Sequence, residues 1–193
     1  MNLSILSRAD LVSELLSPLA CTPGATPPHV SDSGAQTSMP ATSDTVLVHR
    51  LSVARELLLR DLREQMRSGP VMTSPQVLRD WLRLKLAALP YEVFSVLWLD
   101  NQNHLIEYDE MFRGTLSQTS VYPREIVKQA LARNSAAAVL VHNHPSGQAT
   151  PSRADELLTQ GLKSALNLVD VRVVDHFIVA GDAVVSFAES GLI

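Results

Sequence analysis

Hydrophobic positions recur at helical spacing in two segments of the first third of the chain. Leucines recur over residues 3–16, and leucines followed by a methionine recur over residues 51–67, so both segments are predicted to be helices. The intervening residues 17–45 are rich in proline, serine and threonine and carry little charge. Such a segment buries too little apolar surface to offset its ordering entropy, and it is predicted to be a flexible linker.

From residue 71 onward, short apolar runs alternate with amphipathic segments. Three helices are predicted, at 75–89, 123–134 and 152–168. Six strands are predicted, at 92–99, 104–113, 115–121, 136–141, 171–179 and 183–187. The run at 136–141 is apolar without alternation, which indicates a strand covered on both faces. The pattern therefore predicts an α/β (α+β) domain over residues 71–193.

The predicted organisation has four parts. Residues 1–16 form a short N-terminal helix and residues 17–45 a linker, residues 46–70 form a helical lead-in, and residues 71–193 form the domain. No apolar run approaches the ~20 residues that span a bilayer, so no membrane segment is predicted. Charged residues interrupt the apolar N-terminal segment, which is unlike the core of a signal peptide, and we expect a cytoplasmic protein.

Composition limits the chemistry. The formal net charge is -4, which argues against non-specific binding of nucleic acid. The single cysteine, Cys21, excludes a disulfide within the chain and a cysteine-rich zinc site. Any metal site must therefore be built from histidines and carboxylates.

One stretch places such residues at ligand spacing. The apolar run ends in His142-Asn143-His144, and residues i and i+2 of a strand project from one face. Pro145 stops the strand, and Ser152 begins a helix with Asp155 in its first turn. Two imidazole nitrogens and one carboxylate leave a fourth tetrahedral position open for water, which is the pattern of a catalytic zinc site.

Each half of this pattern also has a simpler interpretation. His-x-His occurs by chance at strand ends, and Ser152-x-x-Asp155 is a capping-box pattern that requires no metal. The two together, after an apolar strand and before an amphipathic helix, favour a metal site.

At these residues the chain resembles a known family. The JAMM (MPN-plus) metalloprotease signature resembles two motifs of this chain, His142-x-His144-Pro145 and, after a short loop, Ser152-x-x-Asp155. The fuller run is similar to the bacterial RadC-like proteins over about residues 70–193. The matching stretches are Phe112 to Leu116, Tyr122 to Glu125, His142 to Gly147, Pro151-Ser152, Val174 to His176 and Phe187 to Glu189. The resemblance implies a mixed β-sheet flanked by helices, in the three-layer arrangement of JAMM and cytidine-deaminase-like domains.

The resemblance also implies roles for individual residues. Zinc would be held by His142, His144 and Asp155; Glu110, in a Glu-x-Phe pattern, would be the general base; and the hydroxyl of Ser152 would donate to the oxyanion. The activity implied is zinc-dependent hydrolysis of an amide bond in a peptide or protein, as by a metallopeptidase or isopeptidase. Apart from the resemblance, hydrolysis by activated water requires a base that takes a proton from the water.

A second function remains open, that of a DNA-repair or DNA-maintenance binding protein with a structural or vestigial metal site. RadC-like proteins usually carry a helix-hairpin-helix region, and residues 1–50 show no glycine-rich hairpin. DNA is therefore a possible partner that the net charge does not support. Asp175 and His176 lie on an apolar strand, and either a structural role or contact with a metal ligand is open to them. The substrate and the oligomeric state are left undetermined.

Overall fold

A computed structural model describes residues 2–17, 41–114 and 121–193. Most of the predicted linker, and all but the last residue of the predicted strand at 115–121, lie outside these described residues. The chain divides into two compact units, Met1–Leu58 and Leu59–Ile193. Among the described residues, none of the helices has the length and apolar character needed to cross a membrane.

The first unit is helical. A 3₁₀ turn at Leu3–Ile5 precedes helix α1 (Arg8–Leu16), and helix α2 (Ala41–Ser68) begins in this unit. The start of α2 lies ten residues before the predicted one. The first turn of α2 contains Asp44, whose negative charge is favourable at the positive end of the helix dipole. A helix start marked by a charge is not detected from the spacing of apolar residues.

The second unit contains the end of α2, a 3₁₀ turn at Val71–Thr73 and the remaining elements. These are α3 (Pro75–Leu86), β1 (Val93–Leu99), β2 (Leu105–Arg113), α4 (Pro123–Ala132), β3 (Ala137–Asn143), α5 (Arg153–Asn167), β4 (Arg172–Ala180) and β5 (Ala183–Ser186). Each predicted element in the described part of this unit is confirmed, with bounds that differ by three residues or fewer.

The strands form one mixed sheet in the order β2-β1-β3-β4-β5. Among the described strands, only β3 and β4 pair in parallel, and α5 makes the crossover between them. The other neighbouring strands pair antiparallel. The mixed sheet confirms the expected fold class.

Helices cover both faces of the sheet. On one face, α3 and the end of α2 pack against residues such as Leu97 and Val139. On the other face, α4 and α5 pack against Val96 and Leu140. Because β1 and β3 are covered on both sides, every residue of these two strands is buried, as the unalternating apolar run predicted for β3.

Candidate metal centre

Three side chains converge where β3 ends. The Nε2 atoms of His142 and His144 lie 2.9 Å apart. Asp155 approaches both rings from the first turn of α5, with Oδ1 3.1 Å from Nε2 of His142 and Oδ2 3.8 Å from Nε2 of His144. The structure thus brings together the three residues proposed as metal ligands.

The loop after β3 orients the His144 ring. The backbone N–H of His144 donates to the carbonyl of Val179 at 2.8 Å, which extends the pairing of β3 with β4 by one residue. Nδ1 of His144 lies 2.6 Å from the carbonyl oxygen of Gln148. Because a carbonyl oxygen only accepts, Nδ1 carries the hydrogen in this contact, and Nε2 of the neutral ring presents its lone pair to His142 and Asp155.

A capping box holds Asp155. Its backbone N–H donates to the hydroxyl oxygen of Ser152 at 3.2 Å, and its Oδ2 accepts from the Ser152 hydroxyl at 2.6 Å and from the Ser152 backbone N–H at 2.8 Å. Burial by itself would raise the pKa of the Asp155 carboxyl. The hydrogen bond and charge of His142, together with the Ser152 hydrogen bonds, outweigh burial and hold that pKa well below its usual value.

The donor set fits a metal ion. When both rings are neutral and carry their hydrogen on Nδ1, the two Nε2 atoms and the carboxylate are all acceptors, and a cation between them would satisfy all three. Two imidazole nitrogens and one carboxylate oxygen, with a further position open, form the set that zinc takes in catalytic sites. Among the described residues, these three make up the group of histidine and acidic side chains spaced to hold a metal.

Buried polar residues lie behind His142. Its Nδ1 is 2.8 Å from Nε2 of His176, and Nδ1 of His176 is 2.6 Å from the hydroxyl oxygen of Thr159. Burial lowers the pKa of His176 well below its ordinary value, and the neighbouring imidazoles act in the same direction, against the carboxylate of Asp155. Of the two roles left open for His176, the structure thus gives it contact with a proposed ligand.

Asp175 points elsewhere. Its carboxylate accepts from the Ser186 hydroxyl at 2.6 Å and from the backbone N–H of Ala188 at 2.9 Å. These bonds tie β4 to the residues that follow β5, which is a structural role.

The three side chains open onto a cavity of about 570 Å³. Its apolar lining residues include Phe94, Val121 and Leu158. Other lining residues are polar, and they include Glu92, Ser146, Gln148, Thr150 and Ser152. Ser152 therefore lines the same cavity as the three proposed ligands.

The structure does not bring Glu110 to this cavity. Its carboxylate lies 3.2 Å from Nζ of Lys85, on α3, and its register partner on β1 is Ser95. Helix α3 covers one face of the sheet, whereas α5, which carries Asp155, covers the other. Glu110 thus projects from the face opposite to His142.

Glu92 is the acidic residue that the sequence reasoning missed. It immediately precedes β1 and lines the cavity together with His142 and His144. A signal for it exists in the antiparallel pairing of β1 with β3, which places the start of β1 beside the end of β3. That pairing becomes visible only once the neighbours of β1 are known.

Asn143, between the two histidines, forms hydrogen bonds with the backbone on both sides of Glu92. The side-chain Oδ1 of Asn143 accepts from the backbone N–H of Val93 at 2.8 Å, and its Nδ2 donates to the carbonyl of Tyr91 at 3.0 Å. The buried Asn143 amide therefore holds the residues on both sides of Glu92.

The mixed sheet, the two histidines at the end of a central strand and the aspartate that begins the next helix are the features expected of a JAMM-like domain with a candidate metal site. The family model described as RadC-like JAB domain matches residues 72–192. The chain therefore belongs to the RadC-like JAB domain family, and the resemblance stated from the sequence is confirmed.

Curated relatives agree with this assignment. The chain is 60% identical over 143 residues to a UPF0758 protein of Methylibium petroleiphilum, a match that covers 74% of this chain and 64% of that protein. It is 61% identical over 145 residues to a UPF0758 protein of Aromatoleum aromaticum, covering 75% of this chain and 64% of the relative. The chain thus spans just under two thirds of the length of these relatives, whose names state no activity.

Proposed function

We propose that this chain is a zinc-dependent metallohydrolase that cleaves an amide bond in a peptide or protein, as a metallopeptidase or isopeptidase does. The observation that carries the proposal is the convergence of His142, His144 and Asp155 in a cavity that is also lined by Glu92 and Ser152. Family membership supports the same kind of chemistry.

The proposed ligands are two imidazole nitrogens and one carboxylate oxygen, which together suit Zn²⁺. A zinc ion held there would act as a Lewis acid and lower the pKa of water to about 7. The chain supplies the remaining parts of the site. Asp155 contributes the negative charge, and the carbonyl of Gln148 keeps the lone pair of His144 directed at the group.

We propose Glu92 as the general base in place of Glu110. Hydrolysis of an amide requires a group that takes a proton from the attacking water and delivers it to the leaving nitrogen. A carboxylate in the cavity meets that requirement, and one on the opposite face of the sheet does not. The Ser152 hydroxyl, at the cavity wall, donates its one hydrogen to Asp155 Oδ2 at 2.6 Å in this structure. To donate to the oxyanion, it would turn that hydrogen from Asp155 toward the substrate.

The two glutamates provide a matched test. The purified chain is loaded with zinc, incubated with a library of peptides from a digested proteome, and analysed by mass spectrometry for new termini. Glu92→Gln should retain about one zinc per chain and lose about 100-fold or more of the cleavage rate, the range typical of a lost general base. Glu110→Gln, the same change on the other face, should cleave at the wild-type rate.

Two results would contradict the proposal. One is a zinc-loaded wild-type chain whose library shows no zinc-dependent cleavage. The other is loss of cleavage in Glu110→Gln with full activity in Glu92→Gln, which would return the base to the position predicted from sequence.

A further inference from the structure

A line of buried hydrogen bonds runs from His142 back to the helix that carries Asp155. Nδ1 of His142 meets Nε2 of His176 at 2.8 Å, and Nδ1 of His176 meets the Thr159 hydroxyl at 2.6 Å. The hydroxyl in turn donates to the backbone carbonyl of Asp155 at 2.6 Å. His176 and Thr159 are fully buried and His142 is 2% exposed, so these contacts are shielded from bulk water.

The end of this line sets the direction of each bond. The carbonyl oxygen of Asp155 can only accept, so the Thr159 hydroxyl donates its one hydrogen to that oxygen. The hydroxyl oxygen of Thr159 must then accept a hydrogen bond from His176. A neutral His176 that donates from Nδ1 has its lone pair on Nε2. His142 must then donate from Nδ1, so in the neutral ring that can bind a metal Nε2 has a lone pair facing His144 and Asp155. When the metal-free ring is protonated, Nε2 also carries a hydrogen, which it donates to Asp155.

The surroundings of His176 favour the neutral ring that this arrangement needs. The ring centre lies 4.6 Å from the ring centre of Phe187 and 5.8 Å from that of Phe94. Apolar packing of this kind disfavours a charged imidazole. A neutral ring has one donor and one acceptor, and both are used in the line.

We propose that His176 and Thr159 are positioning residues that hold His142 in the tautomer and orientation required to bind the metal. The inference rests on the proposed metal site and deepens it, since it assigns the metal affinity partly to two residues that do not touch the ion. Partners of this kind, behind the ligands of known metal sites, typically change metal affinity by about 10–100-fold when they are removed.

His144 offers an internal contrast. Its Nδ1 is held directly by a backbone carbonyl, that of Gln148, which no side-chain substitution removes. His142 instead depends on two side chains for the same orientation. Substitutions in the line should therefore disturb His142 and leave His144 unchanged.

The decisive pair of variants is Thr159→Val and Thr159→Ser. Valine has nearly the shape of threonine and lacks the hydroxyl, whereas serine keeps it. We expect the zinc dissociation constant, measured by competition with a fluorescent chelator, to rise about 10-fold in Thr159→Val and to stay within about 2-fold of wild type in Thr159→Ser. His176→Leu removes the group that accepts from His142, and it should raise the zinc dissociation constant by up to about 100-fold.

A second readout reports the tautomer without metal. Imidazole nitrogen NMR on the metal-free chain should show His142 protonated at Nδ1 in the wild type, with a mixture of tautomers in Thr159→Val. His144 should stay protonated at Nδ1 in both chains, because the carbonyl of Gln148 accepts that hydrogen. Ile178→Val, a change in a fully buried residue that pairs with His142 across β3 and β4, is the control for altered packing and should change neither readout.

The outcomes separate this inference from the proposed function. If the wild-type chain binds no zinc, the proposed metal site itself is wrong. If the wild type binds zinc and the Thr159→Val and His176→Leu variants bind it equally well, the positioning role is wrong and the metal site stands. Equal weakening by Thr159→Val and Ile178→Val would likewise overturn the role, because loosened packing would then account for both.

Discussion

In the described part of the chain, α1 and α5 begin with the same capping box, and the capping aspartate of α5 also approaches two imidazoles. At the start of α1, the Ser7 hydroxyl donates to Asp10 at 2.7 Å and accepts from the Asp10 backbone N–H at 3.1 Å. At the start of α5, Ser152 and Asp155 repeat this pattern at 2.6 and 3.2 Å. The second carboxylate differs because its other oxygen lies 3.1 Å from Nε2 of His142.

The comparison shows what the short motif does by itself. In α1 the capping aspartate, Asp10, is exposed to solvent. In α5 the cap restrains one carboxylate oxygen and leaves the other facing the histidines that β3 delivers. The candidate metal site therefore depends on the sheet, which places the histidines beside the capping aspartate of α5. Three predictions test this contrast, from the largest expected effect to the smallest.

The largest difference should appear in metal binding. Asp155→Ala removes a proposed ligand and the negative charge of the site, so its zinc affinity should fall by more than about 100-fold, beyond the usual cost of losing an outer partner. Asp10→Ala should bind zinc as the wild type does. Zinc content after gel filtration and competition titration measure both, and an Asp155→Ala chain that keeps one zinc would remove Asp155 from the ligand set.

An intermediate effect is expected from the serines. Ser152→Ala and Ser7→Ala should each weaken their helix by about 1 kcal/mol, since each removes an N-cap. Hydrogen exchange of the amides in the first turns of α1 and α5 measures this. Only Ser152→Ala should also slow the proposed hydrolysis, and equal catalytic loss in both variants would indicate an indirect effect.

The smallest effect should be in acid titration of the metal-free chain. Hydrogen bonds from Ser7 lower the pKa of Asp10, whereas the pKa of Asp155 is lowered against burial by His142 and then by Ser152. His142→Ala should therefore raise the pKa of Asp155 and leave that of Asp10 unchanged, as carboxyl NMR would show.

The sign of the corresponding stability change follows from the direction of this shift. A lowered pKa adds stability above the unfolded value of about 4, and this stability is lost as the pH falls through the folded pKa. The share that depends on Asp155 should thus be present near pH 5 in the metal-free wild type and reduced in His142→Ala. Melting curves between pH 2 and 6 test this, and a difference that widens toward pH 2 would contradict it.

The convergence of His142, His144 and Asp155 was predictable because each step is local. The two-residue period of a strand places both imidazoles on one face, and a capping pattern places the aspartate in the first turn of a helix. Only the short loop from Pro145 to Pro151 separates these signals, so the chain has little freedom to keep them apart.

The position of the base was not predictable in the same way. Which face Glu110 occupies depends on the register of β2 against β1, and that register shifts between Phe94 and Ser95. A shift of one residue exchanges the two faces of a strand. The proximity of Glu92 to β3, and of His176 to His142, likewise depends on pairings between strands distant in sequence.

The Asn143 amide has a consequence for how the site would fail under stress. It joins the segment that carries Glu92 to the strand that carries His142. We therefore expect the start of β1 and the end of β3 to unfold together. We expect gentle heating to release the ion and disable the base in one step. Molecules that retain metal yet lack a working base should be scarce in a partly inactivated sample.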